Sequence, residues 1–237
     1  MHKIAIPQYI IDRVVKSRGR LHAFDQLLGP STALLVVDLQ NTFMLAPYPT
    51  EVPLAREIVP NVNRLAAATR DASGLVVWIQ MTHKEEDQRS WSVFYDHVSN
   101  SANRTQGLKR LERGTHGQAL YDGLDVQPAD LKIEKNRFSA FIQGSSDLDR
   151  QLRSRGIDTV IVTGTVTNTC CESTARDAMM LNYKTIMVSD ANAAATDEEH
   201  NASLANILRI FGDVMSTDEV IERLIAAAPA ARSAAAG

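Results

Sequence analysis

The sequence predicts an α/β protein of three layers, with a six-stranded, mainly parallel, doubly wound sheet of order 3-2-1-4-5-6 between helices. Two observations carry that expectation. Apolar runs rich in Val and Ile alternate with segments whose apolar residues recur at helical spacing, the mark of repeated βα units. Several of those runs are apolar at consecutive positions, as in parallel strands covered on both faces.

Taken in order, the chain starts with an arm, residues 1–30, holding a short amphipathic helix with Ile10, Ile11, Val14 and Val15. Strands are expected at Ala33–Val37, Leu75–Met81, Leu131–Glu134, Thr159–Val166 and Thr185–Ser189, and a less apolar one at Asp213–Ser216. Val52–Ala72 reads as a helix that Pro60 bends or divides. Asp147–Arg155 reads as a helix ended by Gly156, a residue type that favours the C-terminal cap. Cys171–Leu181 and Glu198–Phe211 follow as helices, the second closed by Gly212. The insertion 84–130 is polar and aromatic, with Trp91, Phe94 and Tyr95 close together, and has the length of a lid or an interface element. The tail 227–237 is low in complexity and expected to fray. No repeat or linker divides the chain, so a single domain over 1–237 is expected.

Composition narrows the function classes. The 237 residues can bury a sizeable core, and 22% charged with 44% apolar residues is ordinary for a globular protein. A formal charge of -3 with no Lys/Arg-rich run argues against nucleic acid as a partner. Asp12, Arg13 and Lys16 interrupt the apolar start, unlike a signal peptide, and no run approaches the roughly 20 apolar residues of a membrane helix. A cytoplasmic protein is expected. The two cysteines, Cys170 and Cys171, are neighbours, which strains a mutual disulfide and suits zinc poorly. None of the histidines, at 2, 22, 83, 97, 116 and 200, is spaced i, i+4 from another. No metal and no cofactor are expected.

Three residues could carry chemistry. Asp38 directly follows the buried run ALLVV, at the carboxyl end of the first strand. Cys170 lies between a strand and the helix that begins CESTARDAMML, where the helix dipole and backbone N–H groups favour a thiolate. Cys171, about 100° further round the helix, points toward the packed face and reads as core. Lys135 closes the short strand LKIEK. Most aspartates after strands are turn or cap residues, and most lysines are surface residues. Shared position outweighs that here: ligands of open parallel sheets bind beyond the carboxyl ends of the strands, where the strand order reverses. With order 3-2-1-4-5-6, Asp38 and Cys170 end adjacent strands, and an acid beside a thiol is the arrangement covalent catalysis needs. Phe43, Gln80, Phe141, Thr167 and Asn168 lie near strand ends and are candidate pocket residues. The dinucleotide fingerprint, the P-loop, the G-x-S-x-G elbow and H-E-x-x-H are all missing.

The segments ALLVVDLQNTFM, KNRFSAF and VIVTGTVTNTCCESTARDA resemble the isochorismatase-like cysteine hydrolase superfamily, most specifically in Thr163-Gly164-Thr165-Val166-Thr167-Asn168-Thr169-Cys170. The resemblance implies an Asp38–Lys135–Cys170 triad and a cis peptide at Thr165–Val166. It also implies an oxyanion hole from the backbone N–H groups of Val166 and Cys170. The family's nicotinamidases hold a metal with an aspartate and paired histidines after the second strand. Here WIQMTHKEEDQ has a single His83, which argues against a zinc nicotinamidase. Cys170 argues against isochorismatase proper, which lacks that nucleophile. The stretch LRSRGIDTVIVTGTVTNTCCESTARDA is similar to the ureidoacrylate and N-carbamoyl amidohydrolase branch. A small amide or ureide substrate and a homodimer or homotetramer are implied. Two alternatives stay open: a cysteine-independent hydrolase or lyase using Asp38 and Lys135, and a non-catalytic binding protein of this fold.

Overall fold

The computed structural model describes residues 1–99 and 107–234, with side chains of the last helix described as far as Ala226. The strands are β1 (Thr32–Val37), β2 (Leu75–Met81), β3 (Leu131–Lys135), β4 (Thr159–Thr165), β5 (Lys184–Ala193) and β6 (Asp213–Met215). They form one sheet in the order β3-β2-β1-β4-β5-β6. Every neighbouring pair is parallel, so the expected order holds without an antiparallel strand. The principal helices are α1 (Gln8–Arg18), α2 (Val59–Asp71), α3 (Leu148–Arg153), α4 (Glu172–Met180), α5 (Asp197–Asn206) and α6 (Thr217–Ala234).

Burial on both faces explains the consecutive apolar runs. Leu35, Val37, Ile79, Val160 and Val162 pack into one core with residues of α1, α3, α4 and α5. Their neighbours Leu34, Val36, Trp78 and Ile161 pack into a second core with α2 and α6. Each β1 residue therefore leaves water whichever way it points, and the run cannot alternate with polar residues. Among the described residues no helix is long and apolar enough to cross a membrane.

Several expected boundaries shift for physical reasons. Pro60 does not bend a helix: α2 starts at Val59 after a separate turn at Pro53–Arg56, placing Pro60 in the first turn, where its missing N–H costs nothing. The helix expected to reach Phe211 stops at Asn206 and continues as a wider turn, Ile207–Phe211. Helix α1 buries Ile10 and Val14 in the chain's own core, while Val15 stays exposed. The tail expected to fray from residue 227 instead continues α6 in its backbone as far as Ala234, and residues 235–237 lie outside the described residues.

One glycine bears directly on the site. Gly164 has φ +119°, and a side chain there would come within 2.1 Å of the Val37 carbonyl oxygen. Its lack of a Cβ lets the end of β4 lie against the end of β1, where Asp38 follows.

Candidate active site

The carboxyl ends of β1, β3 and β4 converge on a buried ion pair. Asp38 leaves β1 with φ 54°, a left-handed conformation that Asp tolerates better than most residues, and its N–H donates to the Ile79 carbonyl at 2.9 Å. From the last position of β3, Lys135 donates through Nζ to Asp38 Oδ2 at 2.7 Å and to the Arg137 carbonyl at 3.1 Å. The side chains are 0% and 1% exposed. The other Asp38 oxygen, Oδ1, is buried without a hydrogen-bond partner among the described residues.

Cys170 lies in a wide turn, Thr167–Cys171, between β4 and α4, and is buried. The peptide between Thr165 and Val166 at the head of that turn is cis. Burial pushes the Cys170 thiol well up from its ordinary range; Lys135 pulls it down, and Asp38 pushes it up again. The resting sulfur is therefore protonated, beside a carboxylate and an ammonium that both act on it. Burial is the largest influence on the Lys135 ammonium and would drive it down, but Asp38, Cys170 and Cys171 together offset that and leave it raised. Cys171 is fully buried in the core with Sγ 3.9 Å from the Thr163 carbonyl, the structural position expected of it.

Cys170 lines a cavity of about 260 Å³. Phe43, Val166 and Thr169 are on its wall, as are Met81, His83 and Phe138. The insertion closes it with Trp91, Phe94, Tyr95, Leu108, Arg110 and Leu111. Of the two roles expected for the insertion, lid or interface element, these three aromatic residues follow the first and turn inward over their own subunit. Trp91 packs against Phe94, Tyr95 and Phe138, at centroid separations of 4.4, 5.8 and 4.9 Å. Arg137 staples the lid beside Lys135: it donates to the Ser90 carbonyl and Oγ and lies 5.0 Å from the Trp91 ring centroid. Asn136 adds a 2.6 Å hydrogen bond to Asp87. His83 accepts or donates to the Tyr95 hydroxyl at 3.0 Å, and burial lowers its pKa to about 4, so it is neutral.

Of the candidate pocket residues, Phe43 is on the wall, and Gln80, Phe141, Thr167 and Asn168 are not. Gln80 donates to the Gln118 carbonyl and serves to anchor the insertion. Phe141 packs in the core against Tyr183, at 5.4 Å between centroids. Asn168 points to solvent. Thr167 sits beneath the turn, its hydroxyl 2.9 Å from His200 Nδ1, and His200 Nε2 reaches the Ser189 carbonyl at 2.9 Å. His2, from the start of the chain, stacks on His200 at 4.2 Å. No local sequence signal pairs these two histidines or marks Arg110. Among the described residues no cluster of His, Cys, Asp and Glu is arranged to hold a metal ion.

An isochorismatase domain model matches residues 32–219, which contain Asp38, Lys135 and Cys170. This chain belongs to the isochorismatase family. This isochorismatase-family hydrolase is 35% identical over 217 residues to the ureidoacrylate amidohydrolase RutB of Klebsiella pneumoniae, covering 84% of this chain and 89% of that protein. It is 36% identical over 182 residues to a probable inactive nicotinamidase of Arabidopsis thaliana, covering 76% and 89% of the two chains. Among solved structures it resembles a cysteine hydrolase from Pseudomonas syringae, with a TM-score of 0.75 and 30% identity over 88% of this chain and 98% of that one.

Proposed function

We propose that the chain is a cysteine-dependent amidohydrolase that cleaves the C–N bond of a small amide or ureide through a thioester. The observation that carries this reading is Cys170 on the cavity wall beside an ion pair that acts on its thiol, with Asp38 Oδ1 taken up by no other group among the described residues. A buried carboxylate oxygen left unpaired is costly, and a thiol proton is what it is placed to accept. Similarity to a ureidoacrylate amidohydrolase supports the substrate class.

The chemistry follows from the charges. Substrate enters while the thiol is protonated and the Asp38–Lys135 pair is intact. Asp38 takes the proton as Sγ attacks the carbonyl carbon, so one negative charge moves from carboxylate to sulfur to carbonyl oxygen. Lys135 remains the counter-ion throughout, which is why a buried ammonium serves here and a titrating group would not. Backbone N–H groups of Val166 and Cys170 receive the oxyanion. Asp38 then protonates the leaving ammonia or amine. It next removes a proton from the water that attacks the thioester, and Cys170 leaves as the thiol. No step calls for a metal or a cofactor.

A panel of small amides and ureides assayed for ammonia release tests the reading. At least one should be hydrolysed by the native enzyme and none by Cys170→Ala of native fold; hydrolysis that survives that substitution would favour the cysteine-independent alternative. Assembly into a homodimer or homotetramer belongs to the same proposal. It rests on Val93 and Val98 of the lid, 67% and 70% exposed, rather than on the inward-turned aromatics. Light scattering that finds an active monomer at assay concentration would remove it.

A further inference from the structure

Among the described residues the cavity wall is apolar and aromatic apart from a few groups, and most of the basic side chains on or beside it are already engaged. Lys135 is committed to Asp38 and the Arg137 carbonyl. His83 is neutral and bonded to Tyr95. Arg137 makes hydrogen bonds to Asn136 and Ser90. Arg113, in the same stretch of the lid, pairs with Glu134. Arg110 differs from all of these. It lines the cavity with Cys170, Nε is buried without a hydrogen-bond partner, and no ion pair involves it among the described residues. Its guanidinium lies over the Tyr48 ring, 6.0 Å from the centroid. The residue's own backbone is held, since its carbonyl accepts from the Thr115 hydroxyl at 2.6 Å.

A guanidinium with a desolvated, unpaired N–H is expensive to keep, because buried charges are otherwise paired. The cost is recovered when an anion arrives with the ligand. A guanidinium presents N–H groups as a planar fork that suits a carboxylate in particular. The walls supplied by Phe43, Trp91, Phe94, Tyr95 and Phe138 suit a flat apolar body. A cavity of about 260 Å³ suits a small ligand.

We propose that Arg110 is the carboxylate-binding residue of this site, so that a ligand presents a carboxylate to the lid while its carbonyl lies at Cys170. This rests on Cys170 being the nucleophile of the same cavity. It adds which part of the substrate the lid recognises.

Alkylation of Cys170 separates the two ideas, because it needs no amide turnover. Iodoacetate and iodoacetamide differ by a carboxylate against a carboxamide. With either, sulfur displaces iodide, a C–S bond forms, and the thiol proton is lost. The ratio of the iodoacetate to the iodoacetamide rate, followed by mass spectrometry of the Cys170 peptide, should fall about ten- to a hundredfold in Arg110→Gln. Lys109→Gln, which removes an exposed neighbouring charge, should leave that ratio as it is in the native protein. Calorimetric titration with benzoate, which involves no sulfur chemistry, should show binding to the native protein and weakening by a similar factor in Arg110→Gln. A ratio unchanged within twofold, or benzoate that binds both proteins equally or neither, overturns the role of Arg110 even if amides are hydrolysed. A shifted ratio in a protein that hydrolyses no amide leaves Arg110 as the anion site and removes the amidohydrolase reading instead.

Discussion

Replacing Lys135 by Met should unfold the protein far more readily than removal of one surface charge would. The substitution keeps much of the apolar stem but deletes the Nζ that donates to Asp38 Oδ2 at 2.7 Å and to the Arg137 carbonyl at 3.1 Å. Both members of the ion pair are 1% exposed or less, so no water can take over as partner to the carboxylate. Breaking a buried pair from one side costs about 3–5 kcal/mol, because a charge is left uncompensated. At roughly 2–4 °C per kcal/mol for a chain of this size, Tm should drop by about 6–20 °C. The double variant Asp38→Asn, Lys135→Met removes the stranded charge with its cause. It should be more stable than Lys135→Met alone, though both are inactive. Urea unfolding of native protein, both single variants and the double closes the cycle. A loss under about 1 kcal/mol for Lys135→Met, or single effects that simply add in the double variant, would refute the buried pair.

Three further outcomes follow from the same structure. Cys171→Ala should cost about 1–2 kcal/mol through lost core packing yet retain turnover, whereas Cys170→Ala should lose turnover while staying folded; equal losses of kcat in two folded variants would undo the assignment. Burial holds His83 and His200 at pKa values of about 4 in the folded protein, below their ordinary 6.5, so the unfolded chain binds more protons than the native one between those values. Stability should therefore decline as pH falls from 6.5 toward 4, by up to about 2.7 kcal/mol per pH unit from the two together, and His200→Gln should reduce that slope; urea midpoints that stay flat from pH 7 to 5 would contradict it. Prolonged treatment with a chelator should leave kcat/KM unchanged, and activity lost with a stoichiometric metal ion and restored by it would show the metal-independent mechanism to be mistaken.

The sheet was legible because two-sided burial leaves a plain trace: ALLVV in β1 has no polar position to hide. The meeting of Asp38, Lys135 and Cys170 at one end of the sheet was legible for a related reason. Each is the polar residue at which a buried strand or its following turn ends, and a doubly wound order brings such ends together. What stayed hidden depends on contacts between distant segments. Trp91 meets Phe138 across the fold, and His2 meets His200 from nearly opposite ends of the chain. Gln80 was placed on the wrong side because neighbouring strand residues face opposite ways, and its side chain serves the Gln118 carbonyl. Thr167 and Asn168 belong to the nucleophile turn, but a turn gives no periodicity from which to read direction; one faces His200 and the other solvent. The lid residue Arg110 stands out once its missing partner is seen, and an unpaired charge has no signature in sequence.

The most direct test is to catch the covalent intermediate. The enzyme is mixed with a slowly hydrolysed amide or ureide, quenched in acid during turnover, digested and mapped by mass spectrometry. The Cys170 thioester predicts that the peptide VTNTCCESTAR carries the acyl group, with loss of the amine, on the first of its two cysteines and not on Cys171. Steady turnover with no adduct at Cys170, undiminished in Cys170→Ala, would contradict it.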